Sequence, residues 1–425
     1  MSTSTQPLRL DQLAVDPGLA APRRAALQRA LDGGLPVNRN ENWRYASLRG
    51  LDRQVFSPAP PPDAERLRRA AATLPPPLEG HARLVVVDGW LCDSLSVAPR
   101  PRAVSLSDDP GAGEPVADPA AAVDRRLSQL NAALSPQALH VDLARGEALD
   151  LELVFVATLD AGVAAAHPSL RVRIAEDARL RLVERHLDAG DVAPFGNVDL
   201  RFDIAPRGSL SLVRLQCLGA RARHFETLSI AAAEAAECEV LSVSAGAQAA
   251  RSTAMVELRG HDAALRWHAV ALADGNQVND AFVRVEHFGA GARTEQAFRG
   301  IAAGRSRVAF NGHMLVREGA LGCASAQSLK ALLAGPEAEA DLRPQLEIYV
   351  DEVRASHGAT IGKLDEQMRF YLLSRGIDRD TADALLKWAF VEDVVSRISL
   401  APLRRQVEDL MAAQLRTLVD VGAVR

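Results

Sequence analysis

Ten histidines and four cysteines are where this 425-residue chain could bind a metal or supply a nucleophile. The cysteines, Cys92, Cys217, Cys238 and Cys323, are scattered, and none stands in a C-x-x-C pair. Zinc and cluster ligands usually come in close pairs, so a self-contained site is not indicated. A disulfide framework does not suit a large chain without a secretion-like start. The expectation for these thiols is a role as small buried hydrophobes. His186, His224, His287 and His313 sit singly in or beside strand patterns, and His261 and His268 flank Trp267. Each reads as a hydrogen-bonded structural residue, the usual state of a buried polar group. His357 differs. It stands in Arg354-Ala355-Ser356-His357-Gly358-Ala359-Thr360, where an extended apolar and acidic strand runs into a Ser-His-Gly turn and then a helix. Glycine permits a tight turn with another backbone close by, and a neutral imidazole is a borderline ligand suited to iron or zinc. Nucleotide chemistry is not indicated. Gly358 to Leu364 has three residues between its glycines rather than four, and Leu364 where a phosphate loop needs Ser or Thr for Mg²⁺. Gly289-Ala290-Gly291 lacks the third glycine of a dinucleotide loop. No H-E-x-x-H, G-x-S-x-G or EF-hand pattern occurs, and no flavin fingerprint.

The elements that must position His357 follow from composition and period. With 48% hydrophobic and 24% charged residues the chain is an ordinary globular one. Aromatics are only 4%, so the core must be built from Ala, Val, Leu and Ile. The net charge of -5 argues against a nucleic-acid partner. No signal-like or membrane-spanning apolar run occurs, so a cytoplasmic protein without a membrane partner is expected. Three regions separate. Residues 1–135 form a mixed helical region with loops at Ser57 to Pro62, Pro75 to Pro77 and Asp108 to Gly113, and a short strand at Leu84 to Val87 before an Asp88-Gly89 turn. Residues 136–350 carry alternating runs such as 170–174, 198–202 and 283–286. The last apolar residues before successive turns, Ile174, Ile204, Ile230, Leu258, Phe288 and Val316, are 30, 26, 28, 30 and 28 residues apart. One such coil cannot bury its own inner face, so the spacing favours stacked coils, a parallel β-solenoid, over the alternative of a β-sandwich, whose turn signals should come about every 8–12 residues. Residues 351–425 switch to helical period. Asp365 caps a first helix ending at Gly376, and a second follows Asp380 with Ala382, Leu385, Leu386, Ala389, Phe390, Val394 and Ile398. A third, from Pro402, aligns Leu403, Val407, Leu410, Met411, Leu415 and Leu418. The fold class expected is mainly β, a solenoid core between helical N- and C-terminal regions.

Several stretches resemble one family. They are Pro344 to Asp365, Ala309-Phe310-Asn311-Gly312, Val316 to Ala320, Phe370 to Ile377 (F-Y-L-L-S-R-G-I), Ala384 to Phe390, and Glu41-Asn42-Trp43-Arg44-Tyr45-Ala46-Ser47-Leu48. In their order along the chain, over about residues 40–400, they are similar to the SufB/SufD family, scaffold proteins of iron–sulfur cluster assembly, and to its SufD branch in particular. The resemblance implies a right-handed parallel β-helix and a non-catalytic scaffold. It implies a complex with a SufB-like scaffold and two copies of a SufC-like ATPase, the latter docking on the C-terminal helices, here around Leu385, Leu386 and Phe390. It also implies that a transient iron–sulfur cluster or iron forms at the scaffold junction, shared with partner ligands, with His357 as the matching histidine. A flavin is linked to the family complex, but nothing in this sequence supports one. One departure matters. Where many SufD chains read K-C-S-H-G-A-T, this chain has Ala355 in place of the cysteine. Ligands from this chain at the junction are then His357 or a nearby carboxylate, Asp351 or Glu352, and the partner must supply thiolates. Two other readings compete. One is a platform that only positions the ATPase. The other is a solenoid polysaccharide hydrolase or lyase, for which paired acids at glycosidase spacing and sugar-stacking aromatics are missing. An exposed solenoid edge would also favour a homodimer by strand addition when the partner is absent.

Overall fold

Alternation of apolar and polar residues becomes a two-sheet solenoid in the computed structural model, which describes residue 8 and residues 19–97, 99–107 and 124–417. The expected loop at Asp108 to Gly113 and the helix position Leu418 lie outside those residues. In chain order the strands are β1 (Ala82–Val87), β2 (Trp90–Leu91), β3 (Val104–Ser107), β4 (Ala138–Leu143), β5 (Ala148–Ala157), β6 (Ser169–Ile174), β7 (Arg179–Asp188), β8 (Phe195–Ile204), β9 (Ser209–Gln216), β10 (Arg223–Ala232), β11 (Glu237–Ala245), β12 (Ala249–Leu258), β13 (Ala264–Ala273), β14 (Val278–His287), β15 (Arg293–Ala302), β16 (Arg307–Val316), β17 (Cys323–Leu333), β18 (Glu339–Ile348) and β19 (Val353–Lys363). From β4 onward even strands stack in one sheet and odd strands in the other, giving about eight parallel coils. Antiparallel β2 and β3 close the N-terminal ends of the two sheets. β19 and β18 are the last strands at the other end.

The inward residues form one continuous core of Leu, Val, Ile and Ala, with Phe155, Phe202, Trp267, Phe298 and Phe310 filling the wider places. The repeat read from the sequence is one strand of each coil. Ile174 pairs with Ile204, and His287 with Val316, in register. Two members need correction. The register sites are Ala232 and His287, whereas Ile230 lies two residues inside β10 and Phe288 just past β14, 42% exposed. Taking the last large apolar residue misplaces the corner wherever the inward site holds Ala or His.

Among the described residues six α-helices flank the solenoid: α1 (Ala21–Gly33), α2 (Ala64–Thr73), α3 (Arg126–Leu134), α4 (Glu366–Ser374), α5 (Arg379–Val395) and α6 (Ala401–Thr417). Asp365 caps α4, accepting from the Gln367 and Met368 amides, and Gly376 takes φ 83° beyond its end, as the sequence indicated. The α5 cap is Asp378 rather than Asp380, which sits inside the first turn. The apolar stripe Val391, Val394, Val395, Ile398, Leu403, Val407, Met411 and Leu415 packs on the outer face of the odd sheet, against residues such as Val243, Val270, Leu272 and Ile301. On the outer face of the even sheet α1, α3, Trp43 and Phe56 pack with Phe195 and Phe225. β19 lies beyond residue 350, where the sequence reading ended the β-helix, so the strand region runs on to Lys363.

Candidate functional site

His357 stands in the middle of β19, not in a turn. The Ser-His-Gly triplet suggested a turn because of its glycine, but parallel pairing with β17 holds this segment extended. In β17 the residues Cys323, Ser325, Gln327, Leu329 and Ala331 are buried, and the residues between them are not. Register places Val353, Ala355, His357, Ala359 and Ile361 above them, on the inward phase. His357 is thus the last rung of the column Trp267, Gln296, Gln327, His357. The first three are buried and His357 is exposed. The Gln327 amide donates to Gln296 Oε1 at 2.6 Å. Gly312 makes room for this pair, since a Cβ there would meet Gln327 Nε2 at 2.3 Å and Gln296 Oε1 at 2.4 Å. Phe310 and Gly312 of the Phe310-Asn311-Gly312 motif therefore serve the interior, Phe310 stacking on Phe298 at 4.7 Å.

The last coil and α4 also expose apolar side chains. Tyr349, Ile361, Met368, Phe370 and Tyr371 are all exposed, Phe370 by 73%, and α4 buries no residue. Asp351 and Glu352, exposed, occupy the turn that leads into β19. Ala355 shares the inward phase with His357, two residues away.

The three helix residues expected to dock a partner do not share one surface. Leu385, 45% exposed, lines a groove of about 640 Å³ between α5 and α6, with Trp388, Thr381, Glu408 and Ala412. Phe390 is half-buried against the solenoid-facing cluster. Leu386 is half-buried outside the groove lining.

Cys92, Cys238 and Cys323 are buried, as the sequence suggested, and Cys217 is half-buried. Burial pushes the Cys217 thiol up to about 11 and Cys238 up to about 12, so both are neutral thiols at physiological pH. His287 bonds Thr294 at 2.7 Å, and His313 bonds Glu347 at 3.0 Å.

Sequence reasoning missed a charged cluster inside the solenoid. Glu184 and His186 point inward from β7 and Arg214 from β9. His224 and Glu226 point inward from β10 in the opposite sheet. Arg214 donates to Glu184 at 2.8 Å and to Glu226 at 2.5 Å. His186 Nε2 lies 2.5 Å from Glu184, His224 Nε2 lies 3.1 Å from Glu226, and the two rings are 4.5 Å apart. Burial alone would raise both carboxyls, but the Arg214 guanidinium outweighs it and holds them well below their usual range. Burial, then the neighbouring His186, lowers His224 and keeps it neutral. The available signal was phase: Glu184, Arg214 and Glu226 occupy inward positions of their alternating runs. Their convergence across two sheets leaves no linear spacing to find.

Residues 155–390 match the family model described as "SUF system FeS cluster assembly, SufBD core domain". The chain is 30% identical over 388 residues to "Iron-sulfur cluster assembly protein SufD" of Escherichia coli (strain K12), covering 90% of this chain and 89% of that one. It is 24% identical over 272 residues to an iron–sulfur cluster assembly SufBD family protein of Synechocystis, covering 62% and 60% of the two chains. A SufBD family protein of Guillardia theta is 29% identical over 143 residues, 34% and 30% of the two. With more than half of its length under the core model and a near full-length relative, the chain belongs to the SufBD family of iron–sulfur cluster assembly proteins.

Proposed function

We propose that this chain is a SufD-like, non-catalytic scaffold subunit that offers His357 to iron or a nascent cluster at its junction with a SufB-like partner. One observation carries the proposal. The exposed His357 ends an otherwise buried inward column, on the terminal strand of a sheet whose last coil also exposes apolar side chains. The free backbone edges of β18 and β19 suit strand pairing with a second solenoid. A single imidazole with partner thiolates makes an open, labile site, and a closed four-ligand site would be a poor donor. Iron and cluster are cargo here, and Ala355 leaves the sulfur ligands to the partner. The groove with Leu385 and Trp388 is the docking surface we assign to a SufC-like ATPase. Cytoplasmic assembly follows from these partners.

The test is co-purification with the SufB-like and SufC-like proteins, then anaerobic cluster reconstitution. A His357→Ala chain is expected to assemble the complex and fail to support cluster formation. Normal reconstitution by that chain would sink the metal role and leave the second reading, a platform for the ATPase, which the depth of the Leu385 groove favours. In that case Leu385→Asp alone abolishes ATPase binding.

A further inference from the structure

The interior cluster takes no part in the junction or the docking groove. It lies six strand steps from β19 along the odd sheet, about 29 Å at the usual strand spacing. We propose that His186, His224 and Glu226 are the protein ligands of a buried divalent-cation site, of the Zn²⁺ or Fe²⁺ class, enclosed within the solenoid.

Geometry comes first. One donor atom from each residue lies within 4.8 Å of the other two. A tetrahedral ion with bonds of about 2.0–2.2 Å sets its ligand atoms about 3.3–3.5 Å apart. The His224 Nε2 to Glu226 distance of 3.1 Å is already close to that edge, and the third donor atom, from His186, stands within 4.8 Å of both. Two imidazoles and a carboxylate suit zinc or ferrous iron better than the harder Ca²⁺ or Mg²⁺. Two cavities of about 30 and 40 Å³ adjoin both histidines, each with room for an ion or a water in a fourth position.

The surroundings hold the ligands as an outer shell would. Phe155 stacks on His186 at 4.9 Å and 14°. Arg214 clamps Glu226 and Glu184 together. Gly196 leaves space beside His224 Nδ1, where a Cβ would sit at 3.3 Å. Charge supplies the motive. Two buried carboxylates face one guanidinium, Arg214, and the second carboxylate is balanced only while His186, 2.5 Å from Glu184, carries a proton. An interior with one surplus negative charge is costly unless a cation offsets it. Because the site is enclosed, the ion enters as the coils close and leaves slowly, so metal binding and folding are coupled.

The experiment refolds the full chain with Co²⁺, Zn²⁺ or a chelator, removes loose metal by gel filtration and counts the bound ion by mass spectrometry. The expected result is about one ion per chain, visible absorption bands with Co²⁺, and a higher melting temperature than the chelated protein. The His186→Gln/His224→Gln chain should lose at least tenfold of the bound metal, while His357→Ala keeps it. The His357 control separates failure here from failure of the junction reading. No retained ion in the wild type, or full retention in the double variant, overturns the proposal. Should the double variant not fold, X-ray absorption of the zinc-loaded wild type decides. Two imidazoles with oxygen support the site, and sulfur or oxygen-only ligation overturns it.

Discussion

Trp43→Ala tests whether the N-terminal Glu41-Asn42-Trp43-Arg44-Tyr45 element is a clamp on the solenoid. Trp43 is 1% exposed, and the Arg251 guanidinium lies 4.5 Å from its ring. Arg251, on β12, donates to the Asp280 carboxylate and to the Asn42 carbonyl at 2.8 Å. The tryptophan therefore sits on a cation that the solenoid itself holds in place. Truncating a buried tryptophan costs about 3–5 kcal/mol, and a desolvated cation–π contact is worth about 2 kcal/mol. The two figures overlap, since one ring is removed in both, and about 4 kcal/mol is the working value. Arg251 keeps Asp280, so no buried charge is orphaned to add to the loss.

A chain of this size does not unfold as one two-state unit, so the assay must be local. Hydrogen exchange resolved by segment reads the opening of residues 41–56 against that of the coils. About 4 kcal/mol corresponds to roughly a thousandfold larger open population. Protection over 41–56 should fall by that order, while β11 to β17 change less than tenfold. Unchanged protection at 41–56 would refute the clamp. An equal loss throughout the coils would refute the separation of clamp from solenoid, making the two one cooperative unit.

Two further outcomes are expected. Burial holds His167 down at about 4, against an ordinary 6.5, although its Nε2–H donates to the Phe56 carbonyl at 2.8 Å. A lowered imidazole favours folding above pH 6.5 and loses that contribution as pH falls through 4, about 3 kcal/mol in all. Release of the N-terminal region below pH 5, followed by exchange, should be blunted in His167→Asn, and an identical acid profile would refute the assignment. Ala355→Cys places a thiol on the inward phase beside His357, within reach of one ion, and tethering a second ligand should raise Zn²⁺ affinity at that end by about 10²-fold. Competition titration measures it, and an unchanged affinity would show that the two side chains do not converge.

The coils were legible because their period is physical: each must bury the same inner face, so Ile174, Ile204, Leu258 and Val316 are 30, 54 and 58 residues apart, one or two coils each. The Asp365 cap and the Gly376 stop were legible because both act within one turn of chain. Strand and turn compete locally at Ser356-His357-Gly358, and pairing with β17 decides the matter from far away in sequence. His186 and His224 read correctly as hydrogen-bonded strand histidines. That they face each other depends on which coil stacks on which, and no single run of residues contains that fact. The helical stripe had the same ambiguity: its period marked Val394 and Ile398 as buried but could not separate Leu385, facing a groove, from Phe390, facing the coils.

The column that ends at His357 is the structural basis for the proposal that function lies at this end of the molecule. Its successive rungs are Leu151, Leu182, Leu212, Val240, Trp267, Gln296, Gln327 and His357. The inner position is aliphatic in the early coils, amphipathic at the indole, then amide, then imidazole. A solenoid that simply stopped would need a polar cap over its last coil. β2 and β3 close the sheets at the first end, whereas on the last coil Ile361 of the same strand and Tyr349 after β18 are exposed, as His357 is. A polar inner column ending on a coil with exposed apolar side chains is ill-suited to lasting contact with water. It is suited to a surface that another chain covers, with a ligand and hydrophobic contact together. If His357 were merely solvated, the amides beneath it would gain nothing from replacing Leu. Gln296→Leu/Gln327→Leu should then leave cluster formation in the complex untouched, and a marked loss of reconstitution with the complex still assembled would tie the column to the cargo.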